Sequence, residues 1–376
     1  MQLIPEAFGL LSIVLALFLL TVLVQLFYYW FFFARLAFYR KGESNPSGEA
    51  VSVVIAAKNE YHNLRRNLPL IMEQDYPEFE VIVVNDASDD DTAEVLEELE
   101  KKYARLKVVN IYQDLNFFKG KKFPLSIGIR SARHELVLLT DADCKPHGRE
   151  WIRVMAGNFS KETEVVLAYG PYEKAKGLLN KIIRFDTLHI AMQYLSFALA
   201  GLPYMGVGRN LAYRKKLFIE QKGFTAHYKV SSGDDDLFIN KVARRHNTSI
   251  EIAQASHMLS RAKSSFGSWF RQKRRHLSTG RYYRPKFKFL LGLYAISQFL
   301  FYVLFILLIS LNYASIIVLG AFALRLFTQL IVLKKSGDRL NERDLLLFSP
   351  LFELILILLN VLSATANLFV RQHKWK

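Results

Sequence analysis

Two aspartates lie one residue apart after a short apolar run, in the stretch Leu-Val-Leu-Leu-Thr-Asp141-Ala-Asp143-Cys. A run this short, bounded by turn residues, predicts a strand buried on both faces, and open α/β sheets bind ligands at the carboxyl ends of such strands. Because the two carboxylates repel each other, they predict a hard divalent cation, Mg²⁺ or Mn²⁺, which prefers oxygen ligands and could hold a diphosphate. A solvated turn is the alternative for an isolated Asp-x-Asp pair.

The elements around this pair predict an α/β fold. Apolar runs indicate further strands at residues 51–57, 80–85, 106–111 and 165–169, and helical spacing of apolar residues indicates helices between the first of them. Strands that alternate with helices predict a mostly parallel sheet with crossover helices on both faces. The Gly-rich fingerprints of dinucleotide dehydrogenases and of Walker-type ATPases are missing from the sequence, so neither class is supported.

Long apolar stretches predict membrane helices at both ends of the chain. Residues 8–33 exceed the roughly 20 residues that a span needs, and they predict an uncleaved anchor. The basic residues that follow, Arg35, Arg40 and Lys41, predict that the domain after the anchor is cytoplasmic. Residues 289–333 predict two helices joined by a tight outer turn. We therefore expect an integral protein of the inner (plasma) membrane with a cytoplasmic catalytic domain.

A third carboxy-terminal span is predicted at residues 345–370. Pro350, Glu353 and Asn360 interrupt its apolar character, and the basic residues at 371, 374 and 376 would then lie outside, against the charge rule. A re-entrant or interfacial helix is the alternative for this segment.

The net charge of +16 invites a nucleic-acid interpretation, but the position of the charges argues against one. Many Lys and Arg residues crowd the segments next to the predicted spans, where anionic lipid head groups and phosphorylated ligands are the expected partners. The chain has one cysteine, which permits no internal disulfide and no cysteine-based zinc cluster.

Six short motifs in chain order resemble those of the membrane-bound family 2 glycosyltransferases with a GT-A domain, the group of cellulose, hyaluronan and chitin synthases and ceramide glucosyltransferase. They are Val-Val-Ile-Ala-Ala-Lys-Asn-Glu, Val-Asn-Asp-Ala-Ser-Asp-Asp, Gly-Lys-Lys-Phe-Pro-Leu, Thr-Asp-Ala-Asp, Gly-Asp-Asp-Asp-Leu-Phe and Gln-Lys-Arg-Arg-His. The resemblance covers residues 50–285. It implies a Rossmann-like GT-A domain at 42–258. With the apolar stretches, this gives a transmembrane anchor at 1–41, a basic aromatic interfacial segment at 259–288, and two or three transmembrane helices at 289–376.

The resemblance also implies a set of donor-side residues. Residues at the first strand end and Asp86 would hold the uracil and ribose of a UDP-sugar, and a lysine and the Gln-x-x-Arg motif would contact the diphosphate with the metal on Asp141 and Asp143. For Asp86 a helix-capping loop is the alternative, and for the lysines a solvated helix start. The nucleotide-sugar-binding candidates are Ala56, Lys58, Glu60, Asp86, Lys121, Lys122, Asp141, Gln272 and Arg275.

The run Asp234, Asp235 and Asp236 resembles the family's catalytic motif. A general base must take the proton of an acceptor hydroxyl, and three adjacent carboxylates favour keeping a proton on one of them. Similarity to hyaluronan-type synthases makes Asp235 the base, and similarity to ceramide-type enzymes makes it Asp236; we choose Asp235. An anionic helix cap is the alternative.

On the acceptor side, Gly208, Arg209 and Asn210 are similar to a glycine-rich strand of the family, for which a plain bulge is the competing account. His276 stands where the family's Gln-x-x-Arg-Trp motif has a tryptophan that helps to hold the acceptor sugar. This departure puts the acceptor pocket and processivity in question. The surrounding basic and aromatic residues are typical of an interfacial helix.

The resulting hypothesis is an inverting, metal-dependent transfer from a UDP-sugar to a membrane lipid or a lipid-linked glycan of the cell envelope. The alternative product is a polysaccharide made processively, although four spans at most offer few helices for a channel unless oligomerisation or a partner subunit supplies more. Two alternatives of other classes are a small transporter with a nucleotide-sensing cytoplasmic domain and a catalytically inactive nucleotide-binding scaffold.

Overall fold

The structure is a computed structural model that describes residues 4–41, 48–112, 120–228, 230 and 232–369. Residues 42–47, which follow the predicted anchor, and the basic residues at 371, 374 and 376 lie outside this range. Contacts divide the chain into two compact units, one of Met1–Tyr39 with Arg284–Leu362 and one of Arg40–Tyr283 with Ser363–Lys376. The four-part division inferred from the sequence stays a prediction.

The second unit contains a seven-stranded sheet with the order β3-β2-β1-β4-β7-β6-β8. The first four of these strands are parallel, β7 is antiparallel to both of its neighbours, and β8 is parallel to β6. An antiparallel pair, β5 and β9, forms a separate small sheet. The strands are β1 (Val51–Ala57), β2 (Phe79–Asp86), β3 (Leu106–Ile111), β4 (Leu136–Asp141), β5 (Cys144–Pro146), β6 (Val165–Ala168), β7 (Leu211–Arg214), β8 (Thr248–Glu251) and β9 (Met258–Ser260).

Helices cover both faces of this sheet. Alternate residues of β1 and β2 pack on one face into a core with the helices that follow those strands, and the opposite residues Val54 and Val84 meet Gly128 of α5. A Cβ on Gly128 would lie 2.5 Å from Val54, so this helix needs a glycine to approach the sheet. The helices are α1 (Ile4–Phe27), α2 (Ala34–Ala37), α3 (Tyr61–Met72), α4 (Thr92–Lys102), α5 (Lys122–Ser131), α6 (Trp151–Ala156), α7 (Leu178–Leu199), α8 (Lys215–Glu220), α9 (Asp236–Val242), α10 (Phe266–Leu277), α11 (Pro285–Ser310), α12 (Ser315–Leu340) and α13 (Ser349–Phe369).

The predicted fold class is confirmed: the domain is an α/β fold with a mixed, mostly parallel sheet and helices on both faces. The prediction was wrong about the glycine-rich strand. The residues Gly208–Asn210 form a 3₁₀ turn, and the strand β7 begins only at Leu211. Gly208 leaves the strand because its backbone N–H turns toward a side chain, the carboxylate of Asp235, instead of a neighbouring strand.

Among the residues that the structure describes, four helical segments are long and apolar enough to cross a membrane: Gly9–Ala37, Pro285–Ser310, Ser315–Leu340 and Arg343–Asn367. The first continues from α1 through one wide π-helical segment, Tyr28–Phe33, into α2. The third carboxy-terminal segment, whose Glu353 had made its assignment ambiguous, therefore has the length and hydropathy of a span.

The first unit, Met1–Tyr39 with Arg284–Leu362, is called the helical unit below. Inside it, the charge of Glu353 is neutralised by Arg325 of α12. The Arg325 Nη1 atom lies 2.9 Å from Glu353 Oε2, and both side chains are almost fully buried. Gln298 and Tyr302 of α11 and Gln329 of α12 donate to the same carboxylate. A paired and fully hydrogen-bonded carboxylate no longer argues against an apolar environment, because its charge and lone pairs are satisfied.

Glu353→Gln should therefore destabilise the helical unit, by about 3–5 kcal/mol, because Arg325 would stay charged and buried without its counter-ion. The double substitution Arg325→Met with Glu353→Leu should restore much of the loss. Thermal unfolding of the purified chain in detergent measures both effects. The exposed pair Arg343–Asp338 provides the control: Arg343→Gln should leave the melting temperature nearly unchanged. An unchanged melting temperature for Glu353→Gln would contradict the role of the buried pair.

Candidate active site

Parallel strands deliver three of the candidate residues to one edge of the sheet. Ala56 of β1 lies opposite Asp141 of β4 in register, and Asp86 is the last residue of the neighbouring β2. Lys58 and Glu60 follow β1 directly. Glu60 is buried and accepts a hydrogen bond from Asn63, so its side chain supports the start of α3, whereas Asp86 and Lys58 are half-buried at the edge.

The loop after β4 forms a group of metal-binding character. Carboxylate oxygens of Asp141 and Asp143 and the Sγ atom of Cys144 all lie within 4.8 Å of one another. Burial and the neighbouring charges of Asp143 and Asp141 raise the pKa of the Cys144 thiol well above its usual range, and the thiol donates to Asp143 Oδ1 at 3.4 Å. The available ligands are therefore two carboxylates, which fit a hard cation such as Mg²⁺ or Mn²⁺. Asn67 of α3 holds this loop through the Ala142 carbonyl, at 3.3 Å.

Lys121 connects this loop to the acidic triplet, which consists of Asp234, Asp235 and Asp236. Its Nζ atom lies 2.7 Å from Asp141 Oδ1 and 3.2 Å from Asp234 Oδ2. Burial opposes the charge of Lys121, but Asp141, Asp234 and Asp235 outweigh it and raise the pKa of the ammonium well above its usual range. The structure thus brings the two acidic motifs, 93 positions apart in the chain when counted from Asp141 to Asp234, to one ammonium group.

Lys122 has a different role from its neighbour. Its side chain is buried, and its Nζ atom donates to the backbone carbonyls of His227, Val230 and Ser232, each at 2.7 Å. Those three bonds use all the hydrogens of the ammonium group. Of the two lysines that the sequence offered for the phosphate side, Lys121 makes ion pairs with the acidic groups, and Lys122 holds the loop in front of the triplet.

The three aspartates of the triplet occupy different surroundings. Gly233 precedes them with φ +92°, a left-handed conformation that favours glycine and turns the chain into α9. Burial raises the pKa of Asp234, and the Asp235 and Asp141 charges add to this against the opposing effect of Lys121. Asp235 is half-buried, and its oxygens accept the backbone N–H groups of Gly208 (2.7 Å) and Asp236 (2.8 Å).

Gly208 brings Asp235 and Lys121 together. A Cβ at this position would lie 3.2 Å from Lys121 Nζ and 3.3 Å from Asp235 Oδ2, so the turn fits closely only with a glycine. Asn210 is fully buried and donates to the carbonyls of Tyr169 and Ser256, which places it in the scaffold of the turn. Arg209 extends from this turn and stacks its guanidinium over the Tyr172 ring, 4.5 Å from the centroid.

A buried ion pair positions the helix that carries Gln272 and Arg275. Lys273 of α10 lies 2.6 Å from Asp186 of α7, and both side chains are buried. The adjacent Gln272 donates to the Tyr172 hydroxyl at 3.4 Å. Removing either charge would leave the other buried and unpaired, so this pair holds α10 against α7.

Three buried polar atoms near these residues have no hydrogen-bond partner in the part of the chain that the structure describes: Arg209 Nε, Gln272 Oε1 and Arg275 Nε. The charges of Arg209 and Arg275, with that of Lys121, lower the pKa of Asp141 against the opposing effect of burial. Guanidinium donors that converge on a carboxylate of a candidate metal site fit the oxygens of a diphosphate.

His276 also faces these cations. The residue has exposed surface, but its imidazole ring is surrounded by protein atoms, and this desolvation together with the charges of Arg275, Arg209 and Lys121 lowers the pKa of the imidazole. A neutral imidazole offers one N–H donor and one acceptor nitrogen. His276 thus presents a hydrogen-bonding group where the related motif has an aromatic ring.

Two further residues contact the triplet and were not recognised as site residues in the sequence. Thr279 and Tyr283 both hydrogen-bond to Asp236. Neither belongs to a motif, since a lone hydroxyl residue carries no pattern, and only the fold brings this segment to α9.

Residues 52–221 match the model of the family described as "Glycosyl transferase family 2". Residues 52–221 of this chain thus form a family 2 glycosyltransferase domain. The acidic loop at Asp141 and Asp143 lies inside the matched range, whereas the triplet and α10 lie beyond it.

Curated relatives of the glycosyltransferase include the "Probable glycosyltransferase YdaM" of Bacillus subtilis, 28% identical over 248 residues, which are 63% of this chain and 56% of the relative. The "Poly-beta-1,6-N-acetyl-D-glucosamine synthase" of Staphylococcus epidermidis is 35% identical over 119 residues, 31% of this chain and 27% of the relative. The chain thus spans about half the length of the first relative and about a quarter of the second.

Among solved structures, the mannosyltransferase PcManGT from Pyrobaculum calidifontis, in complex with GDP-Man and Mn²⁺, superposes with a TM-score of 0.58. The match covers 92% of this chain and 99% of the other at 20% identity. At that identity the likeness shows a shared fold.

Proposed function

We propose that the glycosyltransferase moves a sugar from a UDP-sugar to a hydroxyl of a membrane lipid or lipid-linked glycan, by a metal-dependent single displacement with Asp235 as the base. The observation that carries the proposal is Lys121, whose ammonium group contacts Asp141 of the metal-binding loop and Asp234 next to the base. One ammonium group therefore connects the residues that would serve the donor diphosphate with those that would serve the acceptor oxygen.

The donor would lie across the edge of the sheet. Asp86 would accept bonds from the base or ribose, and Ala56, at the end of β1, would lie beneath them. Lys121, Arg275 and Gln272 would contact the diphosphate, where Arg275 Nε has no hydrogen-bond partner among the described residues. A cation held by Asp141 and Asp143 would offset the negative charge of the leaving group.

Transfer itself then requires one proton movement and one displacement. Asp235 takes the proton of the acceptor O–H group as that oxygen forms a bond to the anomeric carbon. The bond between the anomeric carbon and the phosphate oxygen breaks, and the nucleoside diphosphate leaves with the electron pair. A displacement of this kind inverts the configuration at the anomeric carbon. The donors that hold Asp235, the N–H groups of Gly208 and Asp236, fix its oxygens near Lys121.

The acceptor class follows from the membrane helices and from His276. Four helices of spanning length favour an acceptor that is held at the membrane, with the GT-A domain on the cytoplasmic side where nucleotide sugars are made. A neutral imidazole at 276 hydrogen-bonds but lacks the broad apolar face of an indole, on which a sugar ring stacks. Both features favour a single transfer to a lipid-type acceptor.

A processive polysaccharide synthase is the second candidate, and the similarity to the Staphylococcus epidermidis synthase favours it. A transporter is less consistent with the helical unit, because Arg325 and Glu353, the charged pair of its buried interior, neutralise each other instead of facing a solute path.

A panel of UDP-sugars and of GDP-mannose, incubated with the purified full chain in native lipid, tests the proposal. We expect radiolabel to move from one UDP-sugar into the organic phase, with a loss of at least about 100-fold when EDTA removes the divalent cation. Counting labelled lipid separately from released sugar distinguishes transfer from hydrolysis.

Three outcomes would overturn parts of the proposal. Long labelled chains would establish the processive alternative, and exclusive use of GDP-mannose would exclude UDP as the donor nucleotide. Solute flux in liposomes without any sugar transfer would favour the transporter.

A further inference from the structure

Asp236 is buried among hydroxyl groups. Its side-chain oxygen Oδ2 contacts the Thr279 hydroxyl and lies 2.8 Å from the Tyr283 hydroxyl, while Oδ1 accepts the backbone N–H of Leu237 at 2.8 Å. Asp236, Thr279 and Tyr283 are each less than a tenth exposed. Within the described part of the chain, Asp236 forms no ion pair with a lysine, arginine or histidine.

If Asp236 is ionised, the hydroxyl groups around it have too few hydrogens to make all of their hydrogen-bond contacts. Thr279 Oγ1 is within hydrogen-bond distance of both Asp236 Oδ2 and the His276 carbonyl, the latter at 2.7 Å. Tyr283 supplies the contact to Oδ2. Two hydroxyl hydrogens therefore face three oxygen–oxygen contacts, because each hydroxyl has one hydrogen to donate. A proton on Asp236 Oδ2 completes the set, since Asp236 then donates to Thr279 and Thr279 donates to the carbonyl.

The charges around Asp236 also favour its protonated, neutral form. Burial and the adjacent Asp235 raise the pKa of Asp236 to about 7, and Asp234 adds to this, although the bonds from Thr279 and Tyr283 act in the opposite direction. The other titratable groups that face Asp236 are Tyr204, Tyr283 and Lys122 of α5. Lys122 cannot act as a counter-ion by contact, because its ammonium hydrogens point at three carbonyls.

We propose that Asp236 is a positioning residue that works as a neutral carboxylic acid, tying the start of α9, and with it the base Asp235, to the segment Ser278–Tyr282 and Tyr283. The proposal rests on the function proposed above for Asp235. The segment follows α10 directly, so the neutral acid connects the base to the helix that carries Gln272 and Arg275. Ionisation of Asp236 places a second charge beside Asp235 and removes the hydrogen that Thr279 needs.

Asp236→Asn tests this directly, because an amide imitates a neutral acid. Its oxygen can accept the Leu237 N–H, and its NH₂ group can donate to both Thr279 and Tyr283. In the wild type we expect kcat/KM to fall above about pH 7, approaching tenfold per pH unit. Asp236→Asn should keep activity within about threefold of the wild type at pH 6 and lose that alkaline decline. Asp236→Ala, which removes the hydrogen bonds, should be much less active at every pH.

A second readout does not depend on activity. Because the pKa of Asp236 is raised in the folded protein, its stabilising effect is complete below the ordinary aspartate pKa of about 4 and is lost as the pH rises toward about 7. The melting temperature of the wild type should therefore fall relative to that of Asp236→Asn between pH 5 and pH 8. Glu220→Gln, at an exposed position of α8, is the control and should follow the wild type.

The outcomes separate this proposal from the proposed function. If Asp236→Asn abolishes transfer at every pH, Asp236 is the base and the positioning role is wrong. If Asp236→Asn keeps the alkaline decline and the pH-dependent melting of the wild type, Asp236 is not the neutral group. If no nucleotide sugar is used by the wild type but the melting temperatures diverge as expected, the neutral acid stands and the proposed transfer reaction fails.

Discussion

Asp235→Asn is expected to reduce sugar transfer by about 10²- to 10⁴-fold, the contribution that a general base makes. The substitution keeps the size of the side chain and its acceptor for the Gly208 N–H, but an amide cannot take the proton of the acceptor hydroxyl. Binding of UDP, followed by calorimetry, should stay within a few-fold of the wild type because the proposed mechanism assigns Asp235 to the acceptor and not to the nucleotide. Initial rates with the labelled donor measure the loss.

The adjacent Asp236→Asn provides the matched control for this experiment. Both variants exchange one carboxylate for an amide in the same turn, so a loss confined to position 235 separates catalysis from a general effect on the triplet. Retention of more than a tenth of wild-type transfer by Asp235→Asn would be incompatible with its assignment as the base.

Asp143→Asn is expected to weaken Mn²⁺ binding by at least about tenfold and to lower transfer by on the order of 10²-fold. One of the two carboxylates of the metal-binding loop becomes a neutral ligand, so the cation is held less tightly and less negative charge on the leaving group is offset. Electron paramagnetic resonance of Mn²⁺, titrated in the presence of UDP, measures the affinity without requiring turnover.

Asp75→Asn is the control for the metal experiment. Asp75 is largely exposed and pairs with Arg153 on the surface, so its loss should change neither Mn²⁺ affinity nor transfer. Raising the Mn²⁺ concentration should recover part of the activity of Asp143→Asn. Wild-type affinity in Asp143→Asn would show that the cation is held elsewhere.

Many elements of the GT-A domain could be predicted because their patterns are local. The apolar run of β4 is bounded by turn residues and followed by Asp141 and Asp143, and its neighbours β1, β2 and β3 show the same short apolar pattern. Parallel strands bring such ends to one edge, so the sequence indicated where ligands would bind.

Other parts of the site depend on contacts between distant residues and could not be predicted. Lys121 and Lys122 are adjacent and chemically identical, yet one faces Asp141 and the other is surrounded by carbonyls of the loop before the triplet. The predicted glycine-rich strand is a turn, because Asp235, 27 positions later, accepts the backbone N–H of Gly208. Glu353 made the assignment of residues 345–370 as a span ambiguous in the sequence, and only the tertiary structure shows that Arg325 lies beside it.

The sequence by itself determined the family, the sheet, the apolar helices and the two acidic motifs, because periodicity, strand ends and short motifs are properties of neighbouring residues. Only the tertiary structure distinguished among the three aspartates of the triplet. Asp234 meets an ammonium group, Asp235 meets backbone N–H groups, and Asp236 meets hydroxyls from a segment more than 40 positions away. Hydrogen-bond partners and burial set the proton affinity of a carboxylate, and both arise from packing between elements that are distant in the chain.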